Sequence, residues 1–220
     1  KSRDVSLTLA KSSLNLPVVL ALKESTIEAI EVDGGQLVLN DNTKLRFGMK
    51  YNVPSQALSA STVLEPAALN ELTPLAGGFV SGLPEQMSGV LQMRAELSRA
   101  GAGAPLLANS SGEVRDLQIN GKPVGARELA YTLTGLEYAP EADRAKVKLL
   151  AIDAKTLGKG SVQDFDIVWS DRLKMAGQVH LDADVGKTLA AIQPLTTWER
   201  PPAVEGQLSW SASASTSGDT

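Results

Sequence analysis

The chain has no cysteine and only one histidine among its 220 residues. Without cysteine there can be no disulfide framework and no thiolate metal site. The lone His180 shares one side of an alternating stretch with Asp182 and Asp184, but three ligands along one straight strand are spread too far to enclose an ion. No nucleophile motif accompanies these residues. We therefore predict no metal, no cofactor and no enzymatic activity.

Excess positive charge and long apolar runs are missing as well. The 21 Lys and Arg residues are outnumbered by 25 Asp and Glu residues, which gives a net charge of −4 and argues against nucleic-acid binding. The longest apolar candidate, residues 14–22, is interrupted by Asn15 and Pro17 and is shorter than the roughly 20 residues that span a bilayer. The first residues lead directly into strand-like alternation, without a secretory signal. Because the chain begins and ends abruptly, we expect it to be a segment of a longer protein.

Alternation of apolar and polar residues with a period of two dominates the sequence. The clearest case is residues 44–51, in which Leu45, Phe47, Met49 and Tyr51 are separated by polar residues or glycine. The same pattern recurs at residues 5–9, 37–39, 91–97, 129–133, 165–169, 179–183 and 208–214. Turn-forming residues stand between these stretches, as at Asn120-Gly121. The pattern is typical of antiparallel strands with one apolar and one polar face.

Two short stretches have helical spacing instead. Residues 66–75 place Pro66 at a first helical position and leucines at every third residue, and residues 186–195 repeat that spacing. The second stretch begins Gly186-Lys187-Thr188, which resembles the end of a phosphate-binding loop. Such a loop needs a further glycine five residues earlier, where this chain has Leu181 inside a strand pattern. We therefore attribute Gly186 to the start of a helix and not to a nucleotide site.

The chain contains one unit of about 120 residues almost twice. A shift of 120 places residues 27–37 on 147–157, and the apolar positions of 45–49 on those of 165–169. The two helical stretches then coincide, and after a loss of three residues 89–98 falls on 206–215. We predict a first β-rich unit over residues 5–128, an incomplete second copy over 129–214, and a disordered tail over 215–220.

The apolar alternation allows two interpretations. The residues could fill the interior of a β-sandwich, which composition alone favours, or they could line a curled antiparallel sheet with an open, taco-like groove. Three features favour the groove: strands that follow one another with short turns, the recurring unit and the abrupt ends. We therefore predict a mostly β fold, a curled antiparallel sheet with two short helices. The candidate lining residues are those that correspond between the two units on one strand face: Leu45, Phe47, Met49, Met93, Phe165, Ile167, Trp169 and Trp210. Glutamate at Met49 or Trp169 should then weaken ligand loading without unfolding the protein.

Four stretches in this order resemble the AsmA-like proteins of Gram-negative bacteria, which include the AsmA, TamB and YhdP types. They are I30-E-V-D-G-G-Q-L-V-L39, L58-S-A-S-T-V63 with the later L69-N-E-L-T-P-L-A-G77, S88-G-V-L-Q-M-R-A-E-L97, and S111-G-E-V-R-D-L-Q-I-N-G121. The resemblance is in the order of strands, glycines and a short helix, without an invariant motif. This order of elements occurs twice, and the two occurrences cover most of the chain.

The resemblance implies a location and a function. Members are anchored in the inner membrane by an N-terminal helix, which this sequence lacks, and project a curled, grooved β-structure into the periplasm. They are implicated in phospholipid transport between the inner and outer membranes and in outer-membrane integrity. The chain would then be a non-enzymatic periplasmic segment that shields acyl chains. The alternative is a structural or protein-binding β module, such as a scaffold for outer-membrane protein assembly.

Overall fold

The computed structural model describes residues 12–76, 86–170, 173–193, 196 and 203–215. Thirteen strands in this part of the chain form one antiparallel sheet. Two eight-residue helices accompany it, α1 (Leu69–Ala76) and α2 (Val185–Ile192). The prediction of a mostly β, open antiparallel sheet with two short helices is confirmed. The alternation predicted at residues 5–9 lies outside the described residues, and so does the predicted tail except for Ser215, which is the last residue of the final described strand.

Ten of the thirteen described strands span nine residues or more, which is long for a protein sheet. Their bounds are β1 Ser13–Asn15, β2 Val18–Lys23, β3 Thr26–Leu39, β4 Thr43–Asn52, β5 Ala57–Ala68, β6 Met87–Arg99, β7 Leu106–Ile119, β8 Lys122–Pro123, β9 Glu128–Ala139, β10 Arg144–Asp153, β11 Gly158–Val168, β12 Lys174–Asp184 and β13 Gln207–Ser215. A 3-10 turn, Pro140–Ala142, joins β9 to β10.

Almost every strand pairs with its neighbour in sequence. The path across the sheet is β1-β3-β4-β5-β6-β7-β9-β10-β11-β12-β13, with β2 added to β3 and β8 added to β7. Pro17 separates β1 from β2, because proline has no N–H for the ladder. The described strands at the two ends of the path do not pair with each other. These strands therefore form an open single sheet, and the sandwich interpretation is wrong for this part of the chain.

The two edges at which the strands turn differ. The helix edge, in our terms, is the side of the sheet formed by strand ends where β5 leads into α1 and β12 leads into α2. It is not an outer strand. It also carries the β8 hairpin between β7 and β9. The opposite edge, which we call the turn edge, has the connections β4–β5, β6–β7 and β9–β10, each of six residues or fewer. Both helices therefore lie at the same end of the strands.

Both helix starts differ from the prediction. Pro66 belongs to β5, at a register shift between β5 and β6 where a missing N–H costs little, and α1 begins at Leu69. Helix α2 begins at Val185, and its N-cap is Asp184, whose carboxylate accepts the Lys187 N–H at 3.0 Å. Gly186 lies in the first turn of α2, as predicted. A Cβ there would also stand 2.6 Å from the Val204 carbonyl oxygen, so close backbone approach is a second reason for the glycine.

The enclosed core is small. Six of the ten buried residues belong to β3, β4 and β5, and they include Val32 and Gly35 in the interior of β3. The buried Thr43 donates its hydroxyl hydrogen to Glu71 of α1 at 2.7 Å. Around α2 the buried Ala191 faces Gly125, where a Cβ would lie 3.1 Å from the alanine Cβ. The complete set of buried residues in the described ranges is Val32, Gly35, Leu39, Thr43, Leu64, Ala67, Leu69, Ile119, Ala126 and Ala191. Most of the sheet is consequently not sandwiched between layers.

The order of elements repeats along the chain. The succession of three strands, a short helix and a further strand occurs as β3, β4, β5, α1, β6 and again as β10, β11, β12, α2, β13. Gly89 and Gly206, which the 120-residue alignment pairs after its three-residue loss, have φ angles of 138° and 140°. The sheet is continuous where the proposed units meet, since β7 pairs with β9. The unit boundaries themselves stay a prediction.

Candidate functional site

One side of the sheet carries apolar side chains on each of the eleven strands of the main path. Directly paired residues of an antiparallel sheet lie on the same face, so the registers trace the face from strand to strand. One such row runs Leu45, Leu64, Met93, Gly112 and Tyr131. We call this side the apolar face. Its larger members include Leu14, Leu20, Ile30, Leu37, Leu58, Leu97, Leu106, Val114, Leu129, Leu133, Tyr138, Val147, Leu150, Ile152, Val162, Met175, Val179, Leu181 and Leu208.

The eight residues predicted to line a groove all lie on the apolar face. Seven are placed there by strand register: Leu45, Phe47, Met49, Met93, Phe165, Ile167 and Trp210. Trp169 follows β11 and stacks on Tyr138 of the same face, with ring centroids 6.1 Å apart and planes 21° apart. Trp210 is 48% exposed and Trp169 is 36% exposed. The structure thus collects these side chains on one surface and leaves part of each indole uncovered.

Several exposed members of the same face were not among the predicted residues. Leu20 on β2 and Ile152 on β10 are 50% and 46% exposed. Strands β5 and β7 were not recognised from alternation, because their positions on the apolar face include small or hydroxylated residues such as Ala60 and Ser110. These positions are identified by their cross-strand partners, which are leucines and aromatic residues on adjacent strands. The partners can be assigned only when the register is known.

Aromatic rings on the apolar face lie over glycines of neighbouring strands. Gly112 pairs with Tyr131, and a Cβ on the glycine would lie 2.5 Å from the tyrosine ring. Phe47 covers Gly35 and Phe165 covers Gly177 in the same way, with 2.7 and 3.0 Å to a hypothetical Cβ. A ring that covers a strand glycine restores the contact area that the missing side chain would have made. The result is a smooth apolar surface at these rows.

The opposite side of the sheet, the polar face, carries ion pairs between adjacent strands. Lys50 pairs with Glu31 at 3.5 Å and Arg46 with Glu65 at 2.5 Å. The best-connected pair is Arg144 with Asp166, where Nε lies 2.8 Å from Oδ1 and a second guanidinium nitrogen contacts Oδ2. These hydrogen bonds hold the pKa of Asp166 below its ordinary value and raise the pKa of Arg144. Solvent-exposed pairs of this kind stabilise modestly and favour solubility.

The histidine and lysine that drew attention in the sequence also have ordinary surroundings. His180 is on the polar face and its Nε2 lies 2.7 Å from Asp182 Oδ2. Lys187 pairs with Asp184 at 2.8 Å, and β12 runs directly into α2 without an intervening loop, so no phosphate-binding loop is formed. In the described ranges no three histidine or acidic residues are grouped to hold a metal ion.

Cavities occur on both faces. Three on the polar face, of about 540, 520 and 400 Å³, lie mostly between polar-face side chains such as Gln163 and Gln178, or Arg94 and Glu113. A cavity of about 470 Å³ on the apolar face is at the turn edge and is lined by Arg99, Leu106, Tyr138 and Glu141 together with the adjacent turns.

The fold and this surface define an open, amphipathic, single-layer β-sheet. No protein-family model, curated protein or solved structure matches the chain. Within the described part of the chain, neither helix has the length and apolar character needed to cross a membrane.

Proposed function

We propose that the chain binds long acyl chains along its apolar face and shields them from water. The observation that carries this proposal is the continuity of the face: apolar partners follow one another from β1 to β13, while the described helices contact the sheet only at the helix edge. Soluble monomers seldom leave apolar patches larger than a few hundred Å² uncovered unless the patch binds something. A hydrocarbon chain gains about 0.8 kcal/mol for each methylene moved from water.

The mechanism is passive partition. Acyl chains lie against leucine, methionine and aromatic side chains that are already in place, so no conformational change is needed for contact. The charged and hydroxylated residues of the polar face, exemplified by Arg46, Lys50 and Ser59, keep the other side of the sheet in water. Such a sheet can accept acyl chains at many positions, because its contacts are non-directional.

The same proposal extends to the setting of the protein. The chain would be a periplasmic segment of an AsmA-like protein whose parent is anchored in the inner membrane and carries phospholipid towards the outer membrane. The resemblance of residues 30–39, 58–77, 88–97 and 111–121 to that family and the single-sheet architecture support this. Fractionation of cells that produce the full-length parent tests the location: recovery in the cytosol would contradict it.

A second function is favoured by one observation, the free edge of β13. Among the described strands β13 pairs only with β12, and its residues Gln207–Ser215 are exposed apart from Ala212. An open strand edge can accept a strand from another protein. The chain would then act as a structural or protein-binding module in outer-membrane protein assembly. Pairing at that edge would be detected by cross-linking through a cysteine introduced at Ser213.

Native mass spectrometry of the protein purified without detergent tests the acyl-chain proposal. We expect adducts with the masses of phospholipids. The variants Met49→Glu and Trp169→Glu should reduce these adducts while retaining the far-ultraviolet circular dichroism of a β-sheet. The matched control is Lys44→Glu on the polar face, which should load normally. Ligand-free wild-type protein that also fails to bind an added fluorescent fatty acid would refute the proposal.

A further inference from the structure

Arg99 places a positive charge on the apolar face at the turn edge. Among the residues that the registers of β4 to β7 and β9 to β13 assign to this face, Arg99 is the only charged side chain; it pairs with Leu58 on one side and Leu106 on the other. Lys122 of the two-residue β8 pairs with Ile119 at the opposite, helix edge. Arg99 is the last residue of β6 and so lies at the turn edge. A cation among apolar neighbours costs free energy unless a counter-charge or hydrogen bonds compensate it. Its position therefore calls for an explanation.

Arg99 has no carboxylate partner within the described ranges. Its Nε and one terminal nitrogen both donate to the Gln56 carbonyl oxygen, at 3.3 and 3.2 Å, which fixes the guanidinium but neutralises no charge. Arg46 and Arg144 on the polar face, in contrast, each pair with a carboxylate. The remaining N–H donors of Arg99 suit a phosphate group, which a guanidinium can bind through two parallel hydrogen bonds.

The turn-edge cavity next to Arg99 also contains an unpaired anion. Glu141, in the 3-10 turn between β9 and β10, lines the same cavity of about 470 Å³. Its Oε2 lies 3.6 Å from the place that a Cβ on Gly103 would take, so the carboxylate is against the β6–β7 turn. Glu141 forms no ion pair with Arg99 or with any other described residue. The cavity thus offers a cation and an anion that do not neutralise each other.

An aromatic pair completes the cavity wall. Tyr138 lines it, is 42% exposed, and stacks on Trp169. The face of an aromatic ring attracts an ammonium group, and tyrosine and tryptophan suit sites where apolar and polar regions meet.

We propose that this cavity binds the zwitterionic headgroup of an aminophospholipid. Arg99 binds the phosphate, Glu141 and Tyr138 bind the ammonium, and the acyl chains run from the turn edge across the apolar face. This inference rests on the proposed function, because the acyl chains need that face. The two unpaired opposite charges select the occupant: free phosphate or a fatty acid would satisfy Arg99 and leave Glu141 unpaired, and an anionic headgroup without an amine would do the same.

The test compares three ligands with one identical pyrene-labelled acyl chain: phosphatidylethanolamine, phosphatidylglycerol and a single-chain methyl ester. Binding to the full delipidated chain is followed by pyrene fluorescence. We expect wild-type protein to bind phosphatidylethanolamine about tenfold more tightly than phosphatidylglycerol, which is the scale of one charged hydrogen bond. Arg99→Gln should weaken binding of both phospholipids about tenfold and leave the methyl ester unchanged. Glu141→Gln should abolish the preference for the amine.

Arg94→Gln is the matched control, because Arg94 is on the same strand but on the polar face. It should leave all three affinities unchanged. Equal affinities for the two phospholipids in wild-type protein, or displacement of the lipid by millimolar inorganic phosphate with no effect of Glu141→Gln, would refute the headgroup site while leaving acyl binding intact. Failure of all three ligands to bind wild-type protein would instead refute the proposed function. If Arg99→Gln unfolds, the exposed Glu141 supplies the decisive variant.

Discussion

A single charge placed in the middle of the apolar face should separate ligand binding from folding. Ile152 on β10 is suited to this, since it is 46% exposed and pairs with Tyr131 on one side and Gly160 on the other. Gly160 leaves space beside residue 152, so a glutamate that replaces Ile152 can reach water. We predict that Ile152→Glu folds and loses most of its affinity for acyl chains.

The magnitudes follow from the exposed fraction. Complete burial of an isoleucine is worth about 1.5–3 kcal/mol, so an acyl chain that covers the exposed half of Ile152 gains about 1 kcal/mol. In the variant that gain is lost and a carboxylate must be desolvated, at about 1–3 kcal/mol. The affinity should therefore fall at least about thirtyfold. The free energy of unfolding should fall by only about 1 kcal/mol, from the half of the side chain that already packs.

The assay pairs titration with a fluorescent fatty acid and urea unfolding of the same samples. Ala151→Glu is the control, because it places the same charge one residue earlier on the polar face, between Thr132 and Ser161. The reasoning is refuted if Ile152→Glu binds as well as wild-type protein. It is refuted equally if the variant unfolds while the control is stable, because Ile152 would then belong to a closed core.

Three further predictions concern the sheet and its electrostatics. Gly112→Ala should lower the free energy of unfolding by about 1–3 kcal/mol, because the new methyl would lie 2.5 Å from an aromatic ring. Asp184→Ala should lower the protection of α2 amides from hydrogen exchange by about 1 kcal/mol, because the helix loses its N-cap. The Arg144–Asp166 pair should be lost in acid: with the pKa of Asp166 lowered in the folded state, its stabilisation is present above the ordinary aspartate pKa and disappears as pH falls through the lower, folded-state value.

Each of these has its own measurement. Urea unfolding of Gly112→Ala is compared with Gly48→Ala, where a methyl meets nothing nearer than 3.5 Å, and similar losses in both would contradict the steric explanation. Hydrogen exchange of Asp184→Ala should change at α2 alone, and an unchanged α2 would contradict the capping role. For the acid effect, the difference in unfolding free energy between wild-type protein and Asp166→Asn should shrink below about pH 4, and a constant difference would contradict it.

Alternation predicted those strands whose apolar positions hold large side chains. Residues 45–51 and 208–214 are examples, because in a strand successive side chains point to opposite faces and both stretches alternate strictly. The method failed for β5, whose apolar positions include Ala60 and Thr62. Small and hydroxylated residues are compatible with either face of a sheet, so only their cross-strand partners assign them.

The helix boundaries and the close contact at Gly186 could not be predicted from the sequence either, because both depend on contacts between separate segments. Proline is compatible both with a first helical position and with a strand irregularity. The register shift at Pro66 depends on how β5 pairs with β6, which the sequence of β5 alone does not show. The constraint on Gly186 comes from the carbonyl of Val204, a residue that approaches only after β13 has paired with β12.

The sequence by itself determined that the sheet has two chemically different faces and that the eight candidate side chains share one of them, because strand periodicity is a local property of the backbone. Only the tertiary structure decided that the described strands join one open sheet and do not form two packed ones, because that choice depends on which strand pairs with which. It also decided that Arg99, Tyr138 and Glu141 line one cavity, since the end of β6 and the segment that holds Tyr138 and Glu141 become neighbours only through the registers of β6, β7 and β9.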